Sequence, residues 1–146
     1  MKKAVSNLLF VTALAFLWYP SPAPSAQVDH SRQKGTNPLI EEMITLDRVF
    51  RDVVSAVSLR DNEGVHKALE SMHGTMEKTH EGVHSGSVVI PKNANRVKEF
   101  VQMDRAFHEK LEALADAAHH NDQKNMLLLT KQLLDGCVNC HTMFRK

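Results

Sequence analysis

The chain has 146 residues, 42% of them apolar and 24% charged, with a formal net charge of +1. That length provides one domain with a modest, mostly aliphatic core, since aromatic residues make up only 5%. The near-neutral balance excludes a nucleic-acid binder held chiefly by phosphate contacts.

Residues 1–26 read as a secretory signal rather than part of the fold. Lys2 and Lys3 open it, residues 4–19 are uncharged and mostly apolar, and PSPAPSA follows at residues 20–26. Cleavage after Ser25 sets Ala23 three positions back from the cut, whereas cleavage after Ala26 sets Pro24 there. The competing reading is an uncleaved anchor, since 16 residues fall only slightly short of a span. Processing removes two lysines and no acids, which takes the formal charge from +1 to −1. The expected location is periplasmic, with no membrane span left after processing. Residues 27–36 are a polar lead-in containing Gly35, and residues 37–146 form the domain.

Four helical patterns fill that domain. The first covers residues 38–59. Asn37 is a good cap, Pro38 suits the first helical position, and Glu41 and Glu42 favour the positive end of the helix dipole. Leu39, Met43, Leu46, Phe50, Val53 and Val57 recur at alternating steps of four and three, which makes one apolar seam. The second covers residues 61–83, capped by Asp61 or Asn62. Its seam is Val65, Leu69, Met72, Met76 and Val83, and Gly64, Gly74 and Gly82 weaken it. Residues 84–95 break the period and read as a loop, with Val88, Val89 and Ile90 available to cover one end of the fold. The third helix covers residues 95–119 with the seam Val97, Phe100, Met103, Phe107, Leu111, Leu114 and Ala118. The charged positions between Glu109 and Asp116 read as its wet face. The fourth covers residues 122–144, with residues 126–129, Leu133 and Leu134 as its apolar surface. Short first and third connections predict an all-α, antiparallel four-helix bundle.

The only two cysteines stand in Cys137-Val138-Asn139-Cys140-His141. This is the haem-attachment spacing. On a helix, steps of three and four bring both thiols and the imidazole to one face. Two thiols there can bond two vinyl groups along one porphyrin edge, while the imidazole reaches the iron. Gly136 leaves space beside the attachment point. The alternatives are a disulfide or thiol redox pair and half of a zinc site. The first usually follows a strand, and the second needs another ligand pair; neither is visible in the sequence. Met143, the only downstream methionine, is two residues from His141 and cannot circle to the opposite haem face, so any sixth iron ligand comes from upstream.

Cys137, Cys140, His141, Phe144 and Arg145, at the end of four amphipathic helices, resemble the cytochrome c′ family (class II c-type cytochromes) and its low-spin, methionine-ligated relatives. The resemblance spans residues 37–146 in helix order and is specific over the last ten. It implies one covalent haem c on a C-terminal attachment helix. It also implies that the side chain over the open face of the iron comes from the first helix, apolar in high-spin members and methionine in low-spin ones. Met43 falls near that position. One turn of displacement would bring Leu39, Ile40 or Leu46 instead, and a seam methionine is commonly core filler. Methionine ligation would give low-spin iron of raised potential. Arg145, four residues after His141, tunes the iron, meets a propionate, or simply complements the helix dipole. Relatives often form homodimers through the first two helices.

His66, His73 and His80 are spaced by seven and read as a solvent-facing flank, with only His80 and His84 close enough to chelate together. A bis-histidine haem would use His73, His80 or His108. No general base, nucleophile or substrate cleft can be argued, so the reading is an electron carrier with redox partner proteins, not an enzyme. The rivals are a five-coordinate binder of a diatomic gas, NO or CO, and a non-haem histidine-rich bundle holding zinc or copper.

Overall fold

Asn37 begins the first helix as its sequence suggests: its side-chain Oδ1 accepts the Leu39 N–H at 3.1 Å, and Pro38 occupies the first turn. The computed structural model describes residues 37–146, and the expected signal and lead-in lie outside the described residues. Helix α1 (Pro38–Leu59) has the expected bounds. It stops at Arg60, whose φ of 58° is left-handed and whose N–H returns to the Val57 carbonyl at 3.2 Å. A residue with a β-carbon pays about 1–2 kcal/mol for that conformation. Arg60→Gly should therefore raise stability by about 0.5–1 kcal/mol after the extra freedom of glycine in the unfolded chain is subtracted. The midpoint of urea unfolding reads this; a lower midpoint would mean that the arginine side chain outweighs its backbone strain.

Asp61 caps α2 (Asn62–Leu69), accepting the Gly64 N–H at 2.9 Å. The expected single helix over residues 61–83 is broken. After a 3-10 turn (Glu70–Met72), His73 leaves helical geometry and Gly74 takes φ 74°, before α3 (Thr75–Ser85) resumes. Gly74 supplies the left-handed residue that other side chains disfavour. The break changes the phase of the limb. Beyond it Thr79 and Gly82 are buried, whereas the expected Met76 and Val83 are only half-buried. The loop then alternates, with Val88 and Ile90 buried and Val89 exposed.

A 3-10 turn (Ala94–Arg96) leads into α4 (Val97–His119), and Asp122 caps α5 (Gln123–Phe144) by accepting the Asn125 N–H at 3.0 Å. Asn62 bonds both Asn121 and Gln123, so the α1–α2 and α4–α5 connections meet at one end. Leu39, Phe100 and Phe144 meet at the other, where the two rings pack edge to face at 5.4 Å. The limbs α1, α2–α3, α4 and α5 therefore alternate in direction, as a four-limbed helical bundle. No strand occurs among the described residues. No helix among them is long and apolar enough to cross a membrane.

The core is divided along the bundle. One apolar cluster contains Val53, Val65, Leu114, Met126 and Leu133, and the other Leu39, Val88, Ile90, Phe100 and Phe144. On α4 the buried positions are Phe100, Asp104, His108, Leu111, Leu114, Ala117 and Ala118. The expected Met103 and Phe107 flank this face half-buried, and Val97 is exposed. Two polar side chains thus hold the inward positions between the clusters. On α5, Met126 and Leu133 are buried, while Leu127, Leu128 and Leu134 are about half exposed.

Candidate functional site

The last turns of α5 present two unpaired, half-buried thiols, Cys137 and Cys140. Gly136 precedes them against α4: a β-carbon there would lie 3.1 Å from the Phe107 ring, so the missing side chain lets the two helices approach. Cys140 packs against the cluster formed by Leu39, Phe100 and Phe144, as does the half-buried Met43 of α1. Burial holds the Cys137 thiol above its ordinary pKa. Cys140 is pushed up to about 11, first by burial and then by the negative charges of Asp104, Cys137 and Glu42. His141 lies toward solvent. Partial burial, then the positive charge of Arg145, lowers its pKa, so the imidazole is neutral at neutral pH. Arg145 caps the helix and donates its backbone N–H to the His141 carbonyl at 3.0 Å.

The carbonyls beyond His141 have no partners within the helix. The α3–α4 loop supplies them. Lys92 donates its backbone N–H to Phe144 at 3.1 Å and its Nζ to the Thr142 carbonyl at 2.8 Å, and Asn93 Nδ2 donates to the Met143 carbonyl at 2.6 Å.

Between the two apolar clusters lies a layer of buried polar groups that the sequence reading missed. Glu42, expected as a helix-dipole charge, is 1% exposed. Its Oε1 bonds His108 Nε2 at 2.7 Å, while its Oε2 has no partner. Asp104 Oδ2 bonds His80 Nε2 at 2.8 Å. Burial, and next the charge of Glu42, push the Asp104 carboxyl up to about 6 against the opposing pull of His108 and His80. Burial pulls His108 down, but the Glu42 hydrogen bond and the charges of Asp104, Glu42 and Glu77 outweigh it and raise its pKa. Ligand-type atoms of Glu42, Asp104 and His108 all lie within 4.8 Å of one another.

This layer corrects the histidine reading. His80 is not part of a solvent-facing flank, because Asp104 draws it inward. His84 and His73 are exposed. The His66 and His119 rings lie nearly perpendicular, 6.1 Å apart. No family model, curated protein or solved structure matches this chain.

Proposed function

We propose that this protein is a monohaem c-type cytochrome that carries electrons, its haem c bonded to Cys137 and Cys140 and its iron held by His141. The observation that carries this reading is the set of two unpaired thiols and an imidazole on adjoining turns of α5. The residues fit the group in chemistry as well as spacing. A redox dithiol typically sits at a helix N-terminus, where the dipole lowers its pKa. These thiols lie near the C-terminal end of their helix, and burial raises their pKa, which lowers the thiolate fraction that a redox pair works through. A zinc–thiolate site needs further ligands, and the one close group of ligand-type side chains among the described residues contains neither cysteine.

The bound group supplies one-electron ferric–ferrous chemistry. His141 would hold the iron through an imidazole nitrogen, and Arg145 places a positive charge near it. Met43, half-buried against the cluster that includes Cys140, would be the second protein ligand to the iron. His80 and His108 are weaker candidates, because each is committed to a carboxylate. The proposed setting is the periplasm, reached through residues 1–26, with redox proteins as partners.

Absorption spectra of the ferric and ferrous protein test this. Wild type should be low-spin, and Met43→Ala should give a broad high-spin spectrum that shifts with CO. An unchanged spectrum would remove Met43 as ligand. A wild type already high-spin and CO-responsive would favour the gas binder, and absence of Soret absorption would remove haem altogether.

A further inference from the structure

We propose that Glu42, Asp104 and His108 bind one divalent transition-metal cation of the zinc class. The proposal does not rest on the haem reading. Its first support is geometric. Tetrahedral zinc holds nitrogen and oxygen ligands at about 2.0–2.2 Å, so their atoms stand about 3.3–3.6 Å apart. The three side chains already offer ligand atoms within 4.8 Å of one another, from two different limbs of the bundle. Closing them onto one ion takes side-chain shifts on the order of 1 Å.

The second support is independent of that clustering. The Glu42 side chain is 0% exposed, and its Oε2 has no hydrogen-bond partner. Buried carboxylate oxygens are almost always satisfied, because leaving one bare costs its desolvation energy. A cation between Glu42 and its neighbours would satisfy that oxygen.

Charge and the surrounding groups agree with this. Glu42 and Asp104 bring two negative charges into the interior, and Asp104 resists ionisation partly because Glu42 is beside it. One divalent cation with two carboxylates and a neutral imidazole makes a neutral site. His80 bonds one Asp104 oxygen at 2.8 Å, the kind of outer contact that orients a metal-binding carboxylate. On binding, the proton shared between His108 and Glu42 leaves to solvent and the cation takes its place. Oxygen and imidazole donors without sulfur favour zinc, cobalt or ferrous iron over cuprous copper.

The test uses the full chain as it is naturally processed, stripped with chelator, incubated with zinc alone and dialysed against a competing chelator. Wild type should retain about one zinc per chain. Glu42→Gln and His108→Gln, which keep the size and hydrogen bonding of the pair, should each weaken retention by roughly 100-fold or more. His119→Gln with His120→Gln should leave it unchanged, which separates this site from the surface histidines grouped around His119. Zinc-edge X-ray absorption of wild type covers the case in which the Gln variants fail to fold. A shell of oxygens with one imidazole, or two if His80 joins, supports the site. Sulfur in the shell, no imidazole, no retained zinc in wild type, or retention unaffected by a folded Glu42→Gln variant overturns it. Haem content, measured on the same samples, reports separately on the proposed function.

Discussion

Alanine at both Cys137 and Cys140 should yield a chain of unmodified mass that releases any porphyrin into acidified acetone. Each thiol accounts for one thioether bond, so either single variant should keep a covalent porphyrin through the remaining sulfur, and only the double variant should lose it. The change is from about one covalent haem per chain to none. Intact mass reads it directly. Cys140 is the more buried in its consequences, packed with Leu39, Phe100 and Phe144, so its single replacement should also loosen that end of the bundle. Wild-type protein of unmodified mass, produced alongside a haem-attachment system, would end the cytochrome reading. Covalent porphyrin surviving in the double variant would show that other residues hold it.

The second large effect is on the fold itself. His108→Ala should cost about 3–5 kcal/mol in metal-free protein, because it strands the Glu42 carboxylate with neither oxygen bonded. That is a large part of the 5–15 kcal/mol or so that typically separates folded from unfolded chains. Replacing both members with leucine should cost far less, or stabilise, since the buried charge leaves together with its partner. Urea unfolding of the two variants decides this, and equal losses in both would mean that volume, not charge, governs the position. The pH dependence has a definite sign. Asp104 is raised from 3.8 to about 6, so the stability it contributes is present below about 4 and is lost as pH climbs through 6. His108 is raised from 6.5, so its contribution is present below that value and is lost at higher pH. Both make the fold weaken from mildly acidic pH toward neutrality and beyond, and His108→Ala should flatten the upper part of that decline.

Much of this architecture was legible before any coordinates. Asn37, Pro38 and a regular seam define α1 to the residue, and Asp61, one of the two caps expected, starts the second limb. The break in the second limb was not legible, because Gly64, Gly74 and Gly82 look alike in sequence. Only the fold reveals that Gly74 adopts a left-handed conformation while the other two remain helical. The polar layer was hidden by a competing pattern. Phe100, Met103, Phe107 and Leu111 make a regular seam, but so do Phe100, Asp104, His108 and Leu111. Hydrophobicity favours the first, yet partners on α1 and α3 make the second the inward one. An Asp and a His four apart, in phase with buried neighbours, were the available signal. Glu42 gave less warning, since an acid near a helix start already has an adequate explanation in the dipole. The thiols and imidazole of α5 needed no tertiary information, because one helical turn sets their spacing.

The clasp between Lys92, Asn93 and the carbonyls of Thr142, Met143 and Phe144 has a dynamic consequence. A helix end ordinarily frays independently of the remainder of a protein, at little free-energy cost. Here unravelling that end requires a segment 50 residues upstream to release it. Opening of the loop and disorder around His141 thus become one cooperative event, and amide protons in the two segments should exchange with solvent together. Control over the imidazole's position is thereby delegated to a stretch of chain that carries none of the attachment chemistry.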